Sequence, residues 1–116
     1  MRNMMPFLTI HTNGKVQDSK AFLAETADFD AAELHKPISY VIVTLDSNQD
    51  MLFGGNENIK SALVEMKSIG FGNKAALAAK LTDFLEAKLA LDKRHIDIHF
   101  IDMPAADLSI GGSLLD

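Results

Sequence analysis

The chain is short and mildly acidic, and its composition excludes several classes of protein. It has 116 residues, of which 47% are hydrophobic, and a formal net charge of −5. This length predicts a single domain over 1–116 that can bury a core. The basic residues are scattered among acids, which argues against nucleic-acid binding. The absence of cysteine excludes disulfides, thiol catalysis and Cys-ligated zinc. No apolar run reaches the roughly 20 residues of a membrane-spanning helix, so we expect a cytoplasmic protein that does not span a membrane.

The first half of the chain predicts a strand, a helix and a second strand. Residues 7–12 form a β-rich run that ends at a turn dipeptide. Asp18 or Ser19 can cap a helix that runs to about His35. The continuous β-branched and aromatic run at 38–45 predicts a central strand covered on both faces. The helix positions expected to face the core are Leu23, Ala27, Ala31 and Leu34, with Phe22 and Phe29 broadening the stripe.

The second half repeats this order. Residues 62–69 predict a strand and 70–72 a tight loop, after which Asn73 can cap a helix to about Ala90. The run at 96–100 alternates strictly, so it predicts a strand with one apolar and one polar face. The apolar stripe of the second helix consists of Leu77, Leu81, Phe84, Leu85 and Leu89.

The two halves together predict an α/β two-layer sandwich of duplicated β-α-β units. Right-handed crossovers place both helices on one side of a four-stranded sheet. The other sheet face is then bare, and a strand as apolar as 38–45 would not leave it wet, so we expect oligomerisation through the sheet. We also expect a brief edge strand at 51–53 and a tail, 109–116, that docks on a neighbouring molecule.

Pro6 has a structural explanation and a chemical one. Proline is common at the first residue of a strand, where no ladder hydrogen bond is lost. Alternatively, initiation at Met5 and removal of that methionine would make Pro6 the N-terminus, with 1–5 as an extension. An α-amino group has a pKa of about 8, which an apolar pocket and a neighbouring cation lower. Such a secondary amine suits proton abstraction next to a carbonyl.

Other polar residues also admit two interpretations. Lys36 favours a helix C-terminus, or it binds a substrate carboxylate and lowers the pKa of a nearby amine. His95, Asp97 and His99 alternate along one strand, which is a weak signal for a metal site. A polar strand face or a contact with a partner subunit explains them better, so we expect neither a metal nor a cofactor. The glycine loops match no phosphate-binding motif.

Several short segments, in this order and spacing, resemble the family of macrophage migration inhibitory factor and D-dopachrome tautomerase. The resemblance runs from Pro6 to near the C-terminus. The segments are Pro6-Phe-Leu-Thr-Ile-His-Thr-Asn13, Lys36-Pro37 followed by Tyr40, Phe53-Gly54-Gly55, Ser68-Ile69-Gly70, and Asp102-Met103 with Ala105-Ala106.

The resemblance implies a homotrimer in which three sheets form a barrel with the helices outside. It implies a keto–enol tautomerase for phenylpyruvate-like aromatic 2-keto acids, without a cofactor and with active sites between subunits. Pro6 matches the family's catalytic proline, and Lys36 and the backbone amide of Ile69 match the groups that hold the substrate carboxylate. Tyr40 matches an aromatic residue of the pocket wall. The resemblance also allows non-classical secretion.

The sequence departs from the family pattern at other substrate-binding positions. Asp97 and His99 replace a tyrosine and an asparagine that animal members contribute across the subunit interface, and a negative Asp97 would repel an anionic substrate. Ile110 replaces the pocket tryptophan, so aromatic stacking is weaker. Ser61 and Val64 stand where some members carry a Cys-x-x-Cys motif.

Three functions therefore stay open at this point. The first is a tautomerase with Pro6 as base, which requires a free prolyl nitrogen. The second is a catalytically weak, cytokine-like signalling or binding protein, favoured when Pro6 is not N-terminal. The third is a ligand-binding domain whose likeness to the family is only architectural, which predicts that the protein is not a trimer.

Overall fold

The computed structural model describes residues 6–115. Residues 1–5, on which the start-site hypothesis depends, and residue 116 lie outside the described residues. The strands of the main sheet are β1 (Phe7–Thr12), β2 (Ile42–Asp46), β3 (Ala62–Ser68) and β4 (Ile96–Asp102). The helices are α1 (Ser19–Leu34) and α2 (Lys74–Leu89), with short 3₁₀ turns at Ile38–Tyr40, Lys93–His95 and Ala105–Asp107. A small hairpin, β5 (Ser109–Ile110) and β6 (Ser113–Leu114), follows.

The predicted pair of β-α-β units is confirmed. The strand order is β2-β1-β3-β4, in which β1 is parallel to β2, β3 is parallel to β4, and the central pair is antiparallel. Each helix connects a parallel pair, and both helices pack on the same face of the sheet. The fully buried side chains between the two layers include Leu8, Ile10, Val64, Met66, Leu81 and Leu85.

Both helices begin where the sequence predicts. The Asp18 carboxylate accepts a hydrogen bond from the Ala21 N–H at 3.0 Å, and the Asn73 side chain accepts one from the Ala76 N–H at 3.0 Å. These caps satisfy N–H groups that the first turn of a helix leaves unpaired. α2 buries Leu77, Leu81 and Leu85, as predicted.

The predicted core face of α1 is confirmed only in part. The predicted positions Phe22 and Leu34 are buried, but Leu23, Ala27 and Ala31 are only half-buried, and Thr26 and Asp30 are buried instead. Phe22 and Leu34 are larger than the alanines and bury more apolar area, so they set the rotation of the helix. Thr26 and Asp30 lie between them at four-residue steps and are carried into the core.

The prediction of a central strand at 38–45 is also wrong. The N–H groups of Tyr40 and Val41 donate to the carbonyls of Pro37 and Ile38, at 3.0 and 3.1 Å, and close a 3₁₀ turn there. The strand begins only at Ile42 and lies at an edge of the sheet, where exposed and half-buried residues alternate. An apolar run of this length does not distinguish a covered strand from a turn followed by an edge strand.

The predicted edge strand at 51–53 is not formed. Phe53 makes an isolated bridge with Asn56 across Gly54 and Gly55, both of which have positive φ. The pair of glycines therefore closes a tight turn instead of ending a strand.

The sheet face opposite the helices is more polar than we predicted. Ile42, Leu63 and Ile101 are exposed there, but the registers place charged or hydroxyl-bearing residues around them. These neighbours are Thr9, His11, Thr44, Asp46, Glu65, Lys67, Asp97 and His99. Oligomerisation through this face and docking of the tail stay predictions.

Candidate functional site

Four chain segments converge at one edge of the sheet, namely the edge formed by the ends of the strands and not by an outer strand. β1 and β2 run opposite to β3 and β4, so the first pair begins where the second pair ends. Pro6 precedes β1, Tyr40 lies just before β2, Ile69 follows β3 and Asp102 ends β4. Residues from both β-α-β units therefore meet at this edge, although they are distant in sequence.

Pro6 is buried at the beginning of β1. Its carbonyl accepts a hydrogen bond from the Ile42 N–H at 3.0 Å, which forms the first rung between β1 and β2. Phe7 is opposite Lys67 in the antiparallel register, so the continued register brings Pro6 beside Ser68. Pro6 thus lies next to the segment that contains Ile69, as a site at this edge requires.

Lys36 is a buried cation directed at the same edge. It follows His35, whose φ of 54° ends α1 in the left-handed conformation. The side chain is only 7% exposed, and its Nζ donates to the Ile69 carbonyl at 3.3 Å. Burial lowers the pKa of Lys36, and the negative charge of Asp102 partly opposes that shift. An ammonium carries three donors, so those that Ile69 does not use can bind a carboxylate.

A cleft of about 470 Å³ lies between the end of α1 and the beginning of α2. Lys36 lines it, and an ion pair between Glu33 and Lys80, with an N–O distance of 3.2 Å, lies at the same cleft. Pro6 and Tyr40 do not line it. The cleft therefore adjoins Lys36 and Gly70 but does not include Pro6.

Within one chain, Asp97 and His99 lie away from Pro6. Asp97 lies opposite Leu63 near the start of β4, at the end of the sheet far from Pro6, and His99 lies opposite Glu65 midway along the same outer strand. Ile110 is exposed in the terminal hairpin.

The segment 6–115 provides no group of three histidine or acidic side chains that could share a metal ion. His95, which we considered with Asp97 and His99, lies in a 3₁₀ turn with its ring against Phe53, at a centroid distance of 4.9 Å. No helix in this segment is long and apolar enough to cross a membrane.

Sequence reasoning missed the part that Asp102 plays at this edge. Its Oδ1 accepts a hydrogen bond from the Gly70 N–H at 3.0 Å, and its charge acts on Lys36. The available signal was its place in the segment Asp102-Met103, at the end of an alternating strand.

These features define a two-layer α+β protein with a buried proline and a buried lysine at one sheet edge. The sequence profile described as "Macrophage migration inhibitory factor (MIF)" matches residues 5–116. The macrophage migration inhibitory factor homologue of Brugia malayi is 37% identical over 113 residues, covering 94% of this chain and 97% of that protein. The homologue of Wuchereria bancrofti is 38% identical over 114 residues, with 94% and 97% covered.

Solved structures give the same result. Macrophage migration inhibitory factor from Trichinella spiralis superimposes with a TM-score of 0.86 at 33% identity, covering 93% of this chain and 98% of that one. The homologue from Prochlorococcus marinus has a TM-score of 0.87 at 28% identity, with 95% and 99% covered. The chain belongs to the macrophage migration inhibitory factor family.

Proposed function

We propose that this protein is a cofactor-independent keto–enol tautomerase for phenylpyruvate-like 2-keto acids, with Pro6 as its general base. The observation that carries the proposal is the convergence of Pro6, Lys36 and Ile69 at one sheet edge. We further propose that 1–116 is a single tautomerase-like domain in which 1–5 is an N-terminal extension before Pro6.

The proposed chemistry moves one proton within the substrate. The free nitrogen of Pro6 removes a proton from the carbon next to the carbonyl, and the C–H electron pair becomes the new C=C bond. The carbonyl electrons move to oxygen, which then takes up a proton to give the enol. Lys36 and the Ile69 backbone amide hold the carboxylate, and Tyr40 forms part of the pocket wall. Burial near a cation lowers the pKa of an amine, which favours the basic form of Pro6.

The proposal includes a homotrimer, because one chain supplies only part of the site. Asp97 and His99 lie away from Pro6 within one copy, and we propose that a neighbouring subunit contributes them, with Ile110 as a further part of the pocket wall. Lys36 then faces a site with fewer aromatic groups than animal members have and with an additional negative charge. Substrate binding should depend strongly on Lys36 for this reason.

The test compares phenylpyruvate enolisation by the full chain and by a form beginning at Pro6. The nitrogen of Pro6 is an amide while Met5 is attached, so we expect activity only in the shortened form. A form beginning with one glycine before Pro6 is the matched control, because it blocks the nitrogen with little other change. Pro6→Gly in the shortened form should also lower turnover. Equal activity with and without the glycine would refute a free-proline base.

The attached residues before Pro6 favour a second candidate for the full chain. With the nitrogen acylated, the family fold would serve as a catalytically weak, cytokine-like signalling or binding protein. Binding or signalling that is unchanged when Pro6 is blocked would support this candidate. Loss of that activity in the blocked form would oppose it.

A further inference from the structure

One peptide group links Lys36 to Asp102. The carbonyl of Ile69 accepts from Lys36 Nζ at 3.3 Å, and the N–H of Gly70 donates to Asp102 Oδ1 at 3.0 Å. This carbonyl and this N–H belong to the same planar trans peptide and point in opposite directions. The lysine and the aspartate therefore hold the same peptide from its two sides.

The surrounding backbone fixes this peptide in place. Gly70 has a φ of 82°, a conformation that favours glycine, and it turns the chain out of β3. The Ser68 hydroxyl donates to the Gly70 carbonyl at 2.9 Å, and the Met103 N–H donates to the Ser68 carbonyl at 2.9 Å. Ser68 and Asp102 are also register partners, so pairing of the strands holds the ends of β3 and β4 together.

Asp102 is also the negative charge that acts on Lys36. Burial disfavours the ammonium form and lowers the pKa of Lys36, whereas the Asp102 carboxylate opposes that shift. Of the other charged groups at the cleft, Glu33 and Lys80 pair with each other at 3.2 Å, and the remaining titratable group is the exposed His35. Among the described residues Lys36 makes no direct ion pair, so its link to Asp102 runs through the peptide and through space.

We propose that Asp102 is a positioning residue that acts through the Ile69–Gly70 peptide to hold the Lys36 ammonium ready for a substrate carboxylate. Asp102 does not touch the substrate. Its carboxylate polarises the peptide that Lys36 binds, and hydrogen bonds in such a chain strengthen one another. The reference to a substrate carboxylate rests on the proposed function, whereas the coupling of Asp102 to Lys36 does not.

The first test follows Lys36 by NMR in the full chain labelled with ¹³C at lysine Cε. Asp102→Asn keeps an acceptor for Gly70 but removes the charge that raises the pKa of Lys36, so the titration midpoint of Lys36 should fall. Asp102→Ala removes the acceptor as well, so the Gly70 amide should also shift and exchange faster with solvent. Asp102→Glu should restore part of the wild-type midpoint. The matched control is Asp107→Asn, an exposed carboxyl in the next turn, which should change neither signal.

The second test measures phenylpyruvate binding by the same Lys36 signal in the form beginning at Pro6, which is the form that the proposed function requires. We expect Asp102→Ala to weaken binding about tenfold, the size of a loss of about 1.4 kcal/mol, and Asp107→Asn to leave it unchanged. An unchanged Lys36 midpoint and Gly70 amide in folded Asp102→Ala would overturn the inference. If phenylpyruvate leaves wild-type Lys36 undisturbed while Asp102→Asn still moves its midpoint, the proposed function fails and the coupling stands.

Discussion

Asp30 is a carboxyl group that the fold buries without a partner. It lies on the face of α1 that packs on the sheet, is 0% exposed, and neither of its side-chain oxygens has a hydrogen-bond partner among the described residues. Burial raises the pKa of Asp30 from its ordinary 3.8 to about 7. We predict that replacing it by asparagine makes the stability of the protein less dependent on pH.

The groups around Asp30 offer no compensating charge. The neighbouring strands present apolar side chains to the helices, namely Leu8 and Ile10 from β1 and Val43 and Leu45 from β2. On α2, Lys80 and Lys88 already pair with Glu33 and Glu25 of α1. The raised pKa of Asp30 is therefore a consequence of burial alone. The free-energy cost of ionising Asp30 in the core lowers the stability of the folded state.

The sign and size of the effect follow from proton linkage. Between about pH 4 and pH 7 the folded protein keeps a proton at Asp30 that the unfolded chain loses, so rising pH lowers the free energy of unfolding. A shift of about three pKa units corresponds to about 4 kcal/mol, at 1.36 kcal/mol per unit. Most of this loss is complete near pH 8, and about 3 kcal/mol of it develops between pH 5 and pH 8.

Urea unfolding followed by circular dichroism, at one fixed protein concentration, measures this difference. The free energy of unfolding of Asp30→Asn, minus that of wild type, should rise by about 3 kcal/mol from pH 5 to pH 8. Asp28→Asn, an exposed carboxyl on the same helix, is the control and should give a flat difference. A flat difference for Asp30→Asn too, or a ¹³Cγ titration of Asp30 near pH 4, would refute the reasoning.

Two further changes test the helix end and the proposed subunit interface. Ala90 ends α2 with a φ of 54°, so Ala90→Gly should stabilise the protein by about 0.5–1 kcal/mol in thermal unfolding, whereas Ala87→Gly inside the helix should destabilise it by about 1 kcal/mol; a loss at both positions would contradict the strain argument. In the form beginning at Pro6, Asp97→Asn should lower the KM for phenylpyruvate about fivefold at pH 7 by removing about 1 kcal/mol of repulsion. An unchanged KM would show that Asp97 does not face the substrate.

Local signals predicted most of the fold. They failed where the outcome depends on packing against residues that are distant in sequence. The caps Asp18 and Asn73 and the strict alternation of β4 depend on neighbours in sequence, and all three are confirmed. The rotation of α1 depends on which side chains bury more area against a sheet formed by distant residues. Asp30 therefore entered the core although no periodicity rule would place a carboxylate there.

The candidate site shows the same division between local and distant information. Pro6 and Lys36 can be singled out from the sequence, because a proline that directly follows a methionine and a lysine at a helix end each suggest chemistry. Asp102 cannot, because its role arises only when the antiparallel central pair brings the start of one β-α-β unit to the end of the other. Its partner is a backbone N–H, which carries no residue-specific signal. A positioning residue of this kind becomes visible only after the register of the strands is known.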